Sequence, residues 1–380
     1  MSRFFLTIFA VYGGIHVYAF LRAWNALGFG RGTGLVLALF MVLMVVAVFL
    51  IHSLESYEYE RTARALAYLA YFWMAVLFLF FSGSLLIDVI NLLIRGSGWL
   101  TRTNIASVLI TPRLSFFVCL ALALAISMYG YFEALNIRPE RVRVETPKLP
   151  AGIERLTIVQ VSDVHLGLII RCNRLGKMLD VVKAAKPDIF ISTGDLVDAQ
   201  INHLTGLADL LREVKPKYGK YAITGNHEYF AGIEKAIAFT KECGFTMLRN
   251  ETVSDGPIAI VGVNDGTGVR LGFEKKVVER ALFSKVPRDK FVLFLKHQPL
   301  IDQDSLGLFD LQISGHTHKG QIFPFTLLTL LTYPLNAGDY ALVEGSFLHV
   351  SRGTGTWGPP IRFLSPPEVA VYELVRKPSS

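Results

Sequence analysis

Charge is scarce in this 380-residue sequence: Asp, Glu, Lys and Arg make up 18%, against about a quarter in ordinary soluble domains. Hydrophobic residues make up 52% and the mean hydropathy is +0.43. Such a composition excludes disorder and is too apolar for an ordinary soluble enzyme. Cysteine is scarcer still. The three residues Cys119, Cys172 and Cys243 exclude a disulfide framework. Cys119 lies in an apolar run, so one Cys172–Cys243 pair is the most that could form, and nothing in the sequence calls for it. The net charge of +7 comes from 38 basic and 31 acidic residues with no dense basic stripe, so no nucleic-acid partner is expected. The first 135 residues show neither an internal repeat nor a transport motif.

What the sequence does have is long apolar runs. Residues 4–21, 35–51, 65–87 and 114–132 contain no Lys, Arg, Asp or Glu, and about 20 such residues cross a bilayer core as a helix. Four buried core helices in a row without a polar face are rare in soluble proteins. The reading is therefore a transmembrane helical region over residues 1–135, with helices at about 4–21, 35–51, 65–90 and 114–135. The first run starts with Arg3 but lacks a small-x-small cleavage site, so it reads as an uncleaved helix. With four spans both ends share one side, which holds Arg3, Arg61, Arg64, Arg138, Arg141, Arg143 and Lys148. The other side holds Arg22, Arg31, Arg95, Arg102 and Arg113, so the balance places the C-terminal domain in the cytoplasm. His16 and Asp88, within or beside apolar runs, read as structural.

Residues 136–150 turn basic and proline-containing and read as a linker. From 151 to 380 the punctuation is α/β: short β-branched runs at 156–161, 188–192, 221–224, 258–263, 291–295 and 311–314, with an amphipathic helix at about 174–186. The residues after these runs carry the information. The first run is followed by Ser162, Asp163, Val164 and His165, the second by Gly194, Asp195 and Asp198, the third by Gly225, Asn226, His227 and Glu228. His297 follows the fifth, and Gly315, His316, Thr317 and His318 follow the sixth. Strand C-termini in open α/β sheets line the ligand crevice, so these segments are expected to converge. Five of the nine histidines fall in them. Imidazole and carboxylate together suit Mn, Fe or Zn rather than Ca or a thiolate site.

The ordered blocks D-x-H, G-D-x-x-D, G-N-H-[DE], a lone His and G-H-x-H resemble the calcineurin-like metallophosphoesterase superfamily, over residues 156–318. The resemblance implies a four-layer α/β sandwich holding two divalent metal ions, with Mn favoured over Fe or Zn by analogy. It implies Asp163, His165, Asp195 and His318 around one ion, and Asp195, Asn226, His297 and His316 around the other. Asp195 would bridge them, and His227 would act as acid or phosphate contact. Asp198 either supports this site or caps a helix. Glu228 and Arg352 are further candidates for substrate contact or support. The implied reaction is hydrolysis of a phosphodiester or pyrophosphate by a dimetal-activated hydroxide.

Gly315 to Gln321, then Ser351 to Gly355 and Pro366 to Glu368, are similar to the membrane-associated bacterial branch of that superfamily, with Lys319 in place of a glycine. Protein Ser/Thr phosphatases of this fold carry arginines where this chain has Ala199 and Thr224, which disfavours that activity. The apolar stretch 322–335, interrupted by Pro324 and Pro334, is either core or an interfacial lobe. With the membrane helices it points to a bilayer-embedded enzyme, in the inner membrane if the source is bacterial. Its substrate would be lipid-linked, such as a UDP-diacylglucosamine-type pyrophosphate, by analogy with a hydrolase of similar build. The alternatives are a nuclease or soluble-nucleotide phosphodiesterase of the same superfamily, or a non-catalytic membrane sensor or scaffold.

Overall fold

The computed structural model describes residues 2–57, 59–198, 204, 206–287 and 289–377, so Ala199 lies outside the described residues. The chain divides into two compact units: Met1–Tyr131 with Gly358–Ile361, and Phe132–Trp357 with Arg362–Ser380.

Four long helices build most of the first unit: α1 (Ser2–Leu27), α2 (Arg31–Ser56), α3 (Glu60–Thr101) and α4 (Pro112–Glu133). Among the described residues three segments are long and apolar enough to cross a membrane, α2, α3 and Ala106–Glu133, against the four expected. α3 has 42 residues where about 26 were expected. At 1.5 Å per residue it is about 60 Å long, well beyond a hydrocarbon core of about 30 Å. Its buried positions include Ala63, Ala67, Ala70 and Ala75, the small residues that let helices approach closely without a hydrophobic driving force.

The two ionisable groups flagged in the apolar runs find partners. Asp88 accepts from Arg22 at 2.7 Å and from the Tyr18 hydroxyl at 2.6 Å, tying α3 to α1, and Arg22 also reaches Ser115 on α4. His16 sits between the Tyr12 carbonyl oxygen, 2.8 Å from Nδ1, and the Trp73 indole, which donates to Nε2 at 3.0 Å. Both therefore join helices to one another.

The second unit is a sandwich of two six-stranded sheets. The first sheet runs β1 (Arg138–Thr146), β12 (Glu368–Arg376), β2 (Arg155–Val161), β3 (Ile189–Ser192), β4 (Lys220–Ala222) and β5 (Thr246–Met247). The second runs β10 (Gly338–Ala341), β11 (Phe347–Val350), β9 (Leu311–Ser314), β8 (Val292–Leu295), β7 (Ala259–Gly262) and β6 (Glu251–Val253). Alternate strand residues from both sheets meet in one core: Leu156, Ile158, Ile189 and Ile191 face Ile258, Ile260, Leu293, Leu295, Leu311 and Ile313. On the outer side of the second sheet, Val261 and Phe294 pack with Leu282, Phe283 and Phe309. Helix α5 (Cys172–Ala184) buries Leu175, Met178, Leu179 and Val182, the face expected from its periodicity. All three cysteines are free.

The expected linker is a correction. Residues 138–146 form β1, paired in parallel with β12 along nine residues. Arg141, Val142, Arg143, Val144 and Glu145 alternate charge with valine, and Val142 is buried while Arg141 and Arg143 are exposed. β1 is an edge strand, where charged side chains and a proline such as Pro139 are tolerated and discourage further pairing.

Candidate metal centre

The strands β2, β3, β4, β8 and β9 deliver every expected ligand to one end of the sandwich. The chain leaves the pleat abruptly: Asp163, His165, Asp195, His316 and His318 all have φ between +48° and +72°. This left-handed conformation is uncommon outside glycine, and a cluster of it marks a site where the surrounding fold holds the backbone in place. It turns alternate side chains toward the same space. Two glycines are required by close approach: a Cβ on Gly315 would collide with Ser162 and Asp163, and one on Gly225 with Asp195.

The side chains fall into three overlapping groups, Asp163–His165–His318, His165–Asp195–His227 and Asp195–His297–His316, each compact enough to hold a metal ion. His165 Nε2 and His318 Nε2 face each other at 3.1 Å, with Asp163 Oδ1 3.4 Å from the latter. His297 Nε2 lies 3.2 Å from Asn226 Oδ1, 3.2 Å from His316 Nδ1 and 3.3 Å from Asp195 Oδ2. Asp195 Oδ2 is also 4.0 Å from His165 Nε2, so this carboxylate stands between the two groups. Buried nitrogen lone pairs do not gain from facing one another at such distances unless a proton or a cation lies between them. The arrangement therefore fits bound cations, with the Asp195 carboxylate lying between the two groups.

Burial dominates the protonation of the cluster. It pushes His165 down to about 3, with His227 adding to the effect, and His316 down to about 4, with His297 adding. His318 is lowered by burial and by the Arg362 guanidinium. These three rings thus present lone pairs, the state a metal ligand needs. Asp163 is raised by burial, reinforced by Asp195. Burial works against the Asp195 carboxylate too, but His297 and His227 outweigh it and hold Asp195 well below the usual range. His297 is raised well above its usual value because Asp195 and Asp163 overcome its burial.

His227 is buried beside this cluster, its ring 4.6 Å from that of His165 and flanked by two exposed aromatics, Phe230 and Trp357. Its Nδ1 lies 3.1 Å from Asp198 Oδ1. Burial disfavours the imidazolium, yet Asp195 and Asp198 raise it to about 9. Asp198, left open between two roles, thus touches His227 and supports the site. Glu228 supports it from behind, accepting backbone N–H groups of Asp195, Leu196 and Gly225.

Arg352, the other candidate for substrate contact or support, is engaged by two carboxylates. Its guanidinium is taken by Glu140 at 2.8 Å and Glu368 at 2.5 Å, pinning the loop after β11 to β1 and β12. Two residues of the site were missed. Arg362 is fully buried and donates to His318 Nδ1 at 3.0 Å and to the carbonyls of Arg352, Gly353 and Gly355. Its one sequence signal is an arginine inside an apolar, proline-rich run. Tyr333 places its hydroxyl 3.0 Å from His316 Nε2 and donates to Gln298 Oε1 at 3.0 Å.

The family model for calcineurin-like phosphoesterases matches residues 156–320. A metallophosphoesterase of Aquifex aeolicus is 38% identical over 259 residues, covering 67% of this chain and 98% of that protein. One from Campylobacter jejuni is 31% identical over 345 residues, 89% of each chain. A Danio rerio transmembrane protein with a metallophosphoesterase domain is 32% identical over 267 residues, 66% of this chain and 61% of that protein.

Proposed function

The chain belongs to the calcineurin-like phosphoesterase family, and from that premise we propose that it is a membrane-bound, metal-dependent phosphohydrolase whose substrate carries a lipid. Asp163, His165, Asp195 and His318 would hold one divalent ion, and Asp195, Asn226, His297 and His316 the other, with Mn the metal favoured by analogy. When bound, such ions neutralise phosphoryl charge and activate water. The chain's own residues supply the rest. Asp198 accepts from His227 Nδ1, which fixes the ring and leaves Nε2 to donate a proton to the departing oxygen. Glu228 holds the Asp195 and Gly225 backbones and so fixes the geometry of the bridging carboxylate.

The observation that carries the lipid reading is the helix Phe325–Thr332. None of its residues is buried, and Leu327, Leu328 and Leu331 are exposed, the last at 82%. With Phe323 and Phe325 it forms a contiguous apolar surface of the kind that marks a membrane or partner contact. Beyond the buried Ile322, residues 323–332 are thus an exposed or half-exposed lobe, and it leads directly into Tyr333 and its bond to His316. Three apolar helices of spanning length support the same reading.

The test is a mass-spectrometric comparison of lipid extracts from cells carrying wild-type protein or His227→Ala. A phospholipid, prenyl phosphate or nucleotide-lipid accumulating with the variant supports the reading and names the substrate. Unchanged lipids together with an accumulating soluble phosphoester would overturn the lipid part alone.

A further inference from the structure

An open groove of about 470 Å³ lies beside the histidine cluster, within the ~300–1,000 Å³ typical of small-molecule sites. Leu300, Leu306, Leu335, Leu342 and Val343 line it, and Gln303 and Tyr333 alone among its lining residues carry polar side-chain atoms. Tyr333 is shared between groove and site: it lines the groove, and its hydroxyl lies 3.0 Å from His316 Nε2. The groove contains no cation that could grip an anion and no row of donors for a sugar or base. It opens where the apolar helix Phe325–Thr332 ends, since Tyr333 is the residue that closes that helix.

From these contacts we infer that the groove holds the hydrocarbon chain of the substrate, and that this chain is attached close to the scissile phosphate. The inference rests on the lipid-phosphate reading above and narrows it. A single residue, Tyr333, belongs both to the apolar lining and to the hydrogen bond with His316 of the metal cluster. A substrate bound by both parts therefore has hydrocarbon within a few bonds of phosphorus, as in an alkyl, prenyl or lysolipid phosphoester. A sugar or a long polar spacer between phosphate and chain would place polar groups against Leu300 and Leu342. The exposed helix beside the mouth would let the chain pass from bilayer to groove without entering water.

The test uses full-length, Mn-loaded protein in detergent and p-nitrophenyl alkyl phosphodiesters with chains from ethyl to decyl, each kept below its critical micelle concentration. kcat/KM is expected to rise by roughly two- to fourfold per methylene until the groove is filled. Ala341→Trp and Val343→Trp, substitutions at exposed groove positions, should lower kcat/KM for the decyl ester at least tenfold and so flatten the rise with chain length. A decyl phosphate carrying a terminal diazirine, photolysed in the protein, should label the segments 300–306 and 335–343. A chain-length slope that survives both substitutions, or label found outside those segments, overturns the inference. If no ester is turned over at all, the phosphohydrolase reading fails, and the labelling pattern still decides the groove by itself.

Discussion

Glu228 clasps Asp195 through its backbone: one carboxylate oxygen accepts the Asp195 N–H at 3.0 Å and the Gly225 N–H at 2.7 Å, and the other accepts the Leu196 N–H at 2.8 Å. Burial and the Asp195 charge raise this carboxyl to about 7, so the backbone donors are what sustain it as an acceptor. Glu228→Gln turns one of the two acceptors into a donor facing N–H groups. Metal affinity and kcat should each fall about 10–100-fold, measured by calorimetric titration of Mn and by turnover of a soluble ester. Wild-type affinity in the variant would show that the clasp does not position Asp195.

The Asp198–His227 pair predicts a dependence on the leaving group. If His227 donates the proton, His227→Ala should lower kcat about 10²–10⁴-fold for an alkyl leaving group, and far less for p-nitrophenolate, which departs without help. Asp198→Asn should follow the same pattern more weakly. Equal losses on both substrates would assign His227 to phosphate binding instead.

Outside the metal site, His349 gives the second unit a pH dependence. It is 1% exposed, with Nδ1 2.8 Å from Asp339 and Nε2 3.6 Å from Glu368. Burial opposes its charge, but the two carboxylates raise it to about 8. A histidine raised in the folded state adds stability that is full below about pH 6.5 and is lost as the pH rises through 8. The contribution is about 2 kcal/mol. Urea unfolding of wild type and His349→Gln at pH 6 and pH 9 should show a gap that closes at the higher pH. A gap that stays constant would remove His349 as the cause.

In the helical unit, Asp88 joins Arg22 and Tyr18. Asp88→Ala should lower the stability of the detergent-solubilised protein by about 1–2 kcal/mol, read as thermal unfolding. Arg22→Ala combined with it should cost less than the two single losses added together, because both remove the Arg22–Asp88 link while Arg22→Ala alone also removes the bond to Ser115. Strictly additive losses would mean that the two residues act separately.

The site was legible in the sequence because its ligands follow strands directly, each behind a β-branched run that fixes where the pleat ends. Asp163, His165, Asp195, Asn226, His227, His297, His316 and His318 could all be named from that order, and the structure brings them together. The less legible parts depend on contacts between distant segments. Arg362 reaches His318 across 44 positions, and Tyr333 reaches His316 from the end of an apolar helix, with no spacing rule to reveal either. β1 did carry a signal, the alternation of arginine with valine, but its charge and Pro139 outweighed that pattern. Arg352 stands in the stretch Ser351–Gly355 that resembles the membrane-associated bacterial branch, and only the placement of Glu140 and Glu368 shows where its charge is used.

The order of strands in the first sheet also governs how the protein is made. β12 lies between β1 and β2, so the first strand after the helices has no neighbour in its sheet until residues 368–376 have been synthesised. Arg352, which anchors the loop to β1 and β12, and Arg362, which reaches His318, likewise arrive late in translation. The helices can enter the bilayer long before the catalytic unit closes. A ribosome stalled before residue 368 would thus hold a chain in which all the clustered histidines and aspartates are made while β1 and β2 still lack the strand that joins them.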